Sequence, residues 1–357
     1  MGQDISKKLQ AEIKTHIDEK KPLLIRGAHS KAFLGNNVNA PFLDVKSHSG
    51  IINYHASELV ITARAGTTLN EINAALQKHN QYLPFEPPQL NHNSTLGGTI
   101  ACGLAGSSRP FFGSTRDAVL GCKIVNGHGD ILKFGGEVVK NVAGYDASRL
   151  MTGAMGTLGL ILDVSLKVLP KPLLETTFVR EISEDKLHDL LIQLRQSTLP
   201  LSGIVYYNNQ LYIRVKENDT SEKLSHDLLG KETLSSALSF WKNIQNQTHE
   251  FFQTKNRNLW KILLPPASQA TELLDGALVD WAGGLYWVYS DKPATDIHQQ
   301  ASQYGGHAVL YRRGEKENQL SEMLKPLPKE LLLLQKRLKH AFDPHNIFNP
   351  GKLYSDF

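Results

Sequence analysis

The chain has 357 residues, a formal net charge of +4, 41% hydrophobic residues and 21% charged residues, which is ordinary for a soluble protein with a sizeable core. Its basic residues are spread out, so no basic face supports nucleic-acid binding. Two cysteines, Cys102 and Cys122, are too few for a disulfide scaffold and are typical of a reducing compartment. The absence of a signal peptide and of an apolar run of membrane-spanning length predicts a cytoplasmic protein.

The first 172 residues predict alternating short strands and helices. Ile5, Leu9 and Ile13 recur four apart, which indicates an amphipathic helix. Thr68 and Glu71 match a capping box at the start of a second helix. Strands are expected at 22–25, 42–45, 51–54, 59–64, 119–125, 130–134 and 160–169, the fifth and sixth as a hairpin, with a helix at 147–155.

A glycine-rich stretch from Ser94 to Gly106 lies within this half. Leu96, Ile100 and Leu104 recur at helical spacing between the glycines, which a flexible linker would not show. Glycine inside a helix costs about 1 kcal/mol relative to alanine, so a compensating role is expected. These residues alone leave two roles open: a tight turn between packed elements, or a close approach of bare backbone N–H groups to an anionic ligand.

The pattern of predicted elements changes after Pro170-Lys171-Pro172, which marks a predicted domain boundary. Residues 173–325 alternate strands and helices, which predicts an antiparallel sheet with helices on one face. A helix at 331–340 then leads into the tail Asp343 to Lys352.

The motifs of several common cofactor sites are missing. The sequence contains no Gly-x-Gly-x-x-Gly, so a Rossmann nicotinamide site is unsupported. It contains no Walker motif, no His-Glu-x-x-His and no Cys-x-x-Cys. Zinc and iron–sulfur sites are therefore not expected, and we predict no bound metal.

Short motifs follow one another in a characteristic order along the first 172 residues. They are Arg26-Gly27-Ala28-His29-Ser30, Ala65-Gly66, Thr95-Leu96-Gly97-Gly98, Gly113-Ser114-Thr115-Arg116-Asp117 and Gly156-Thr157-Leu158-Gly159. Together they resemble the FAD-binding domain of the vanillyl-alcohol oxidase and p-cresol methylhydroxylase (PCMH) superfamily. The segment from Gly135 to Asp146 and the tail are similar to the FAD-binding E subunits of bacterial glycolate oxidases.

The resemblance implies an α+β fold in three parts. These are a two-lobed PCMH-type FAD-binding domain at 1–172, an antiparallel-sheet cap domain at 173–325, and a C-terminal tail at 326–357 that packs back on the FAD domain.

It also implies FAD as the cofactor, with roles by position. Gly27, Ala28, His29, Ser30 and Lys31 would cradle the diphosphate with backbone N–H groups. Gly97, Gly98 and Thr99 would approach the diphosphate and the flavin ring. The remaining cofactor-binding positions would be Gly66, then Gly103, Gly106, Arg116 and Asp117 near the ribityl chain or bracing its loop, and Gly156, Gly159 and Ile161 at the adenine end.

Two questions about the flavin stay open at this point. Lys140 or Arg116 could donate to the flavin near N1 or C2=O and stabilise the charge of the reduced ring, although each could instead form a salt bridge. His29 matches the histidine that some members of the superfamily link covalently to the flavin. No sequence feature shows the geometry that this link needs, so we expect non-covalent FAD.

The resemblance further implies an FAD-dependent oxidoreductase that acts on CH–OH groups, as a subunit oxidising the 2-hydroxyacid glycolate to glyoxylate. Related 2-hydroxyacid dehydrogenases carry a metal-binding histidine pair and an acidic loop in the cap, and neither is found here. His307 and Arg312 are the candidate catalytic residues, which could line a substrate pocket and bind a carboxylate. The same stretch is equally consistent with a strand edge carrying solvated arginines.

We therefore expect the chain to depend on partners: a catalytic flavoprotein subunit and an iron–sulfur subunit. It would reach the inner face of the membrane only through them. Two alternatives remain: a stand-alone FAD-dependent alcohol oxidase of the same fold, and a structural flavin subunit without its own substrate site.

Overall fold

The computed structural model describes residues 2–136, 147–216, 226–266, 268–315 and 323–355. The α-helices are α1 Ser6–Asp18, α2 Leu69–Gln77, α3 Leu96–Cys102, α4 Arg109–Phe112, α5 Thr115–Ala118, α6 Glu184–Gln196, α7 His226–Leu229, α8 Ala237–Gln245, α9 Ala294–Gln303 and α10 Lys329–Phe342. The strands are β1 Leu24–Arg26, β2 Phe42–Asp44, β3 Ile51–His55, β4 Val60–Arg64, β5 Gln81–Tyr82, β6 Val119–Val125, β7 Ile131–Gly135, β8 Leu160–Lys167, β9 Leu169–Pro170, β10 Glu175–Glu181, β11 Leu201–Tyr207, β12 Gln210–Lys216, β13 Glu232–Thr233, β14 Leu259–Leu263, β15 Leu278–Asp280, β16 Leu285–Tyr289 and β17 His307–Arg312.

These elements form two compact units. The first comprises Met1–Ala105, Gly113–Lys171 and Pro326–Phe357, and the second comprises Gly106–Phe112 and Pro172–Lys325. The boundaries predicted at 172 and 325 lie beside these junctions. Gly106–Phe112 differs from the sequence-based division, because Phe111 packs against the core of the second unit.

The first unit is built on a five-stranded antiparallel sheet in the order β3-β4-β8-β6-β7. The predicted β6–β7 hairpin is confirmed, with Val125 paired to Ile131. Asn126 closes the hairpin turn because its Oδ1 accepts hydrogen bonds from the N–H groups of His128 (3.0 Å) and Asp130 (2.8 Å). The strands β1 and β2 form a smaller parallel pair, so the ends of these two strands lie side by side.

Helix α2 covers this sheet through Leu69, Ile72 and Leu76, all fully buried. The predicted capping box is confirmed: Glu71 N donates to Thr68 Oγ1 at 3.2 Å, and Thr68 N donates to Glu71 Oε2 at 2.9 Å. The helix expected at 147–155 is shorter, a 3-10 turn over Ala147–Met151. It ends there because Gly153 and Met155 have φ values of 81° and 49°, which a right-handed helix does not accommodate.

The C-terminal segment belongs to the first unit and is anchored by a buried ion pair. Lys339 Nζ, on α10, lies 2.7 Å from Asp343 Oδ2 and also donates to the carbonyls of Thr157 (2.7 Å) and Phe348 (2.9 Å). Burial lowers the pKa of Lys339, and the Asp343 carboxylate opposes that shift. Phe348 itself is fully buried. Because every donor of this ammonium has an acceptor, the buried charge holds the tail in one position.

The second unit is built on an antiparallel sheet in the order β13-β10-β12-β11-β15-β16-β14-β17. One face packs against α6 and α9 through Leu190, Leu194 and Ile297, opposite sheet residues such as Ile213 and Trp260. The expectation of helices on one face is wrong for α8. Trp241 of this helix donates to Thr177 Oγ1 at 2.8 Å and stacks on the Arg214 guanidinium. Thr177 and Arg214 are paired across β10 and β12, and their side chains point away from that core. None of the helices in the described ranges is long and apolar enough to span a membrane.

Candidate functional site

A cavity of about 350 Å³ opens in the first unit where β1 ends. This volume lies within the range of small-molecule sites in proteins. Its walls come from five places: the strand β1 with the loop that follows it, the chain around β2, the start and end of α3, the loop before Gly156, and the C-terminal tail. The lining residues are Leu24 to Ala32, Leu34, Asn37, Val38, Phe42, Thr95, Gly98, Ala101, Cys102, Met155, Asn349 and Lys352.

The loop from Gly27 to Lys31 forms one wall. His29 has a φ of 59°, so the chain turns sharply here in a conformation that few non-glycine residues adopt. Lys31, at the end of the turn, is only 8% exposed, and burial lowers the pKa of its ammonium. No acceptor within the described part of the chain takes a hydrogen bond from this ammonium. A buried cation without a carboxylate favours an anionic ligand in the cavity it lines.

The start of α3 forms the facing wall, and its two glycines have different reasons to be glycine. A Cβ on Gly97 would lie 2.7 Å from the Cβ of Ala65, so this glycine allows α3 to pack against the chain after β4. A Cβ on Gly98 would meet only Thr95 Oγ1, at 3.2 Å, and otherwise open space in the cavity. Thr95 caps the helix by accepting a hydrogen bond from Gly98 N at 3.4 Å.

A smaller cavity of about 70 Å³ adjoins the first and shares Ile25, Gly27 and Gly98 with it. Gly156, Gly159 and Ile161 line it together with Gly97. Gly156 and Gly159 have φ values of 73° and 147°, which glycine adopts without strain. The two cavities together form an elongated cleft whose walls are mostly aliphatic and backbone atoms, with cations at one part of it.

Comparison with known proteins identifies the family of this chain. Residues 6–135 match the family "FAD binding domain", and residues 313–353 match the family "FAD linked oxidases, C-terminal domain". The chain is 42% identical over 353 residues to glycolate oxidase subunit GlcE of Escherichia coli strain K12, a match that covers 99% of this chain and 98% of that protein.

This chain belongs to the FAD-linked oxidase family. It is also 25% identical over 377 residues to glycolate oxidase subunit GlcD of Bacillus subtilis strain 168, covering 87% of this chain and 78% of that protein. A crystal structure of alkyldihydroxyacetonephosphate synthase matches 98% of this chain and 75% of that one, with a TM-score of 0.66 and 14% identity. At this low sequence identity, the similarity shows only that the two proteins share a fold. The chain is thus an FAD-dependent oxidoreductase, with a PCMH-type FAD-binding domain and an antiparallel-sheet domain.

The cleft of this FAD-linked oxidase fits its cofactor. The Lys31 ammonium, which has no hydrogen-bond acceptor among the described residues, suits an anionic diphosphate. The position of Gly98 leaves open the volume that any side chain there would fill. Of the predicted cofactor positions, the structure brings ten together around the cleft: Gly27, Ala28, His29, Ser30, Lys31, Gly97, Gly98, Gly156, Gly159 and Ile161.

Other predicted cofactor positions do not line the cleft. Thr99 is fully buried inside α3, and its hydroxyl has no hydrogen-bond partner among the described residues. Gly66 and Gly103 pack against neighbouring backbone, near the carbonyl of Lys46 and the amide of Gly153 respectively. Gly106 lies in the second unit, where its carbonyl accepts from Trp281 Nε1 at 2.9 Å.

The charged pair after Gly113 is on the surface. Arg116 is exposed, and Asp117 accepts from Ser114 N (2.8 Å) and Ser114 Oγ (2.7 Å) at the start of α5. The Asp117 carboxylate therefore braces its own loop, one of the two roles considered for it. Lys140, the other candidate flavin donor, lies outside the described residues.

The two candidate catalytic residues lie in the second unit, on β17. Arg312 donates to the Phe252 carbonyl (2.8 Å) and the Tyr289 hydroxyl (3.1 Å), so part of its guanidinium is engaged in holding neighbouring chain. His307 lies at the other end of the strand, paired with Leu263. Burial, and then the charges of Lys261 and Arg109, lower the pKa of His307. The histidine is therefore neutral near pH 7 and able to accept a proton.

The tail contributes cavity residues that sequence reasoning left unassigned. Asn349 Oδ1 accepts from Ile25 N at 2.8 Å, and its Nδ2 donates to the Met155 carbonyl at 2.6 Å, which ties β1 to the loop before Gly156. Lys352 donates to the carbonyls of Ala32 (3.2 Å) and Asn36 (3.0 Å), which fixes the chain after the loop. The sequence Asn349-Pro350-Gly351-Lys352 indicates a turn. The segment that this turn contacts is distant in sequence, so the sequence alone did not indicate the contact.

Proposed function

We propose that this chain is the FAD-binding subunit of a glycolate oxidase complex, which oxidises glycolate to glyoxylate. The observation that carries the proposal is the 42% identity over nearly the whole length of a glycolate oxidase subunit, GlcE. The weaker match to GlcD, another glycolate oxidase subunit, supports the same substrate class.

In this proposal the cleft of the first unit holds FAD. The loop Gly27–Lys31 binds the diphosphate, with the Lys31 ammonium offsetting its charge. Gly97 and Gly98 let α3 approach the cofactor, and Gly156, Gly159 and Ile161 surround the adenine end. These residues would hold FAD, which would supply an acceptor for the hydride that leaves the CH–OH carbon. His307, neutral and able to take a proton, is the candidate base for the hydroxyl group.

The proposed partners are a catalytic flavoprotein subunit and an iron–sulfur subunit. With two cysteines in the whole sequence, this chain cannot supply the four thiolates of an iron–sulfur cluster, so single electrons would leave through another protein. Within the described ranges, no three His, Cys, Asp or Glu side chains converge on one point. The prediction that this chain binds no metal remains a prediction.

The test is co-purification of the tagged chain from its host, followed by anaerobic mixing with glycolate in a stopped-flow spectrometer. We expect FAD in the purified chain, little or slow flavin bleaching alone, and bleaching once the partners are added. Rapid, complete bleaching of the isolated chain, lost in His307→Ala, would contradict dependence on partners and support the stand-alone oxidase. A flavin that glycolate never reduces, even in the complex, would contradict the proposed function and support a structural role for the flavin.

A further inference from the structure

Two cations converge on one indole ring in the second unit. The guanidinium carbon of Arg109, on α4, lies 4.1 Å from the ring centre of Trp281, and Lys261 Nζ, on β14, lies 4.8 Å from the same centre. Lys261 Nζ is also 6.0 Å from the ring centre of Trp287. Arg109 and Lys261 are 152 positions apart in sequence, so their proximity is a product of the fold.

The strand register places His307 on the same face of the sheet. Lys261 is directly opposite Trp287 on β16 and Val309 on β17, and directly opposed residues of antiparallel strands share a face. His307 precedes Val309 by two positions and therefore points the same way. This face is opposite to the one that packs against α6 and α9, because the alternate residues Trp260 and Ile262 lie in that core.

Among the described residues, the charged groups of this cluster are Arg109, Lys261 and Asp280. Asp280 is the acidic group that acts on Lys261, and its carboxylate already accepts from Ser107 Oγ at 3.0 Å and Trp281 N at 2.6 Å. Arg109 and Lys261 bring two positive charges against this one negative charge. His307 is neutral near pH 7 because burial and both cations lower its pKa. Two cations beside a neutral hydrogen-bonding ring match an anion that carries a polar substituent.

The backbone that presents Trp281 is strained. Trp281 and Ala282 both have a φ of 53°, a region that bulky residues rarely adopt. Trp281 Nε1 donates to the Gly106 carbonyl at 2.9 Å, and Arg195 Nη1 donates to the Ala282 carbonyl at 2.7 Å, so the turn is held from two sides. Strain of this kind persists where the surrounding structure maintains it and is concentrated at ligand sites.

We propose that Arg109, Lys261 and His307 form a binding site in the second unit for a small 2-hydroxy or 2-oxo monocarboxylate. Arg109 and Lys261 bind the carboxylate, and His307 hydrogen-bonds the oxygen on the neighbouring carbon. The indoles of Trp281 and Trp287 hold the two cations in place through cation–π contacts. The proposed function supplies the expected ligand, glycolate, whereas the site itself is inferred from these residues.

The experiment is isothermal titration of the full-length, FAD-loaded chain with glycolate, glyoxylate, D-lactate and acetate at constant ionic strength. We expect binding of glycolate or glyoxylate, weakened at least tenfold in Lys261→Met and in Arg109→Met. Lys292→Met, which removes an exposed lysine of the same unit, should bind as the wild type does. An unchanged circular dichroism spectrum verifies that each variant is folded, since the flavin lies in the other unit.

His307→Gln distinguishes a site for 2-hydroxy acids from a general anion site. It should weaken glycolate binding while leaving acetate binding unchanged, because acetate has no second oxygen for the imidazole. Binding of D-lactate without glycolate or glyoxylate would support the site and contradict glycolate as the substrate. Titrations that are identical in the wild type and in both methionine variants, or the absence of any binding, would overturn the proposal.

Discussion

Replacing Lys261 with methionine should stabilise the protein while it removes anion binding. Burial, followed by the charge of Arg109, lowers the pKa of Lys261 from 10.5 to about 8. Each unit of pKa difference between the folded and unfolded states corresponds to about 1.4 kcal/mol, so the ammonium costs on the order of 3 kcal/mol of folding stability at pH 7. Methionine also loses the cation–π contacts, which are worth about 1 kcal/mol each. A net gain of about 1–2 kcal/mol is therefore expected.

The pH dependence of this gain identifies its cause. Below pH 8 the lysine is protonated in both the folded and the unfolded chain, and the full cost is present. Between about pH 8 and 10.5 the folded chain releases its proton while the unfolded chain keeps it, so wild-type stability increases relative to the variant. Above pH 10.5 both states are neutral and this cost disappears.

Thermal unfolding of the wild type and Lys261→Met, measured at pH 7 and again near pH 10, checks the prediction. A gain of 1 kcal/mol corresponds to roughly 2–4 °C in a unit of this size. Lys292→Met should unfold at the same temperature as the wild type, both at pH 7 and near pH 10. A Lys261→Met protein that melts below the wild type at pH 7, or an advantage that persists unchanged at pH 10, would refute the reasoning.

Four further predictions concern the two sites. Gly98→Val should purify folded by circular dichroism but without flavin, because the side chain enters the cavity; a folded, yellow variant would contradict the placement of FAD. Lys31→Met should weaken the binding of FAD at least tenfold in a titration of the apoprotein, and an affinity equal to that of the wild type would exclude a role for the Lys31 charge. After acid precipitation the colour should remain in the supernatant; a yellow pellet that is lost in His29→Ala would show a covalent link. Glycolate affinity should fall up to tenfold per pH unit above about pH 8 as Lys261 deprotonates, since Arg109 and Asp280 keep their charges and His307 is already neutral; a flat profile to pH 9.5 would oppose it.

Features with a local cause could be predicted from the sequence. The capping box of Thr68 and Glu71, the hairpin closed by Asn126 and the stripe of α2 each depend on residues within a few positions of one another. The glycine motifs also located the cleft, because their order along the chain resembles a family whose members bind FAD. The same motifs did not separate Gly98, which faces the cavity, from Gly97, which packs against Ala65. A glycine has no side chain whose polarity could indicate its neighbour.

The other features of the structure depend on contacts between segments that are distant in sequence. Periodicity reports which side of a helix or strand is buried, but it does not report what covers that side. Only the folded chain brings Asn349 and Lys352 of the tail to the loop after β1, and places Gly106–Phe112 in the second unit. It also places the Arg109 guanidinium carbon 4.1 Å and Lys261 Nζ 4.8 Å from the ring centre of Trp281, a pairing that neither residue's local sequence indicates. Sequence alone determined the capping box, the hairpin and the cofactor family, whereas strand register and tail docking determined which charges meet.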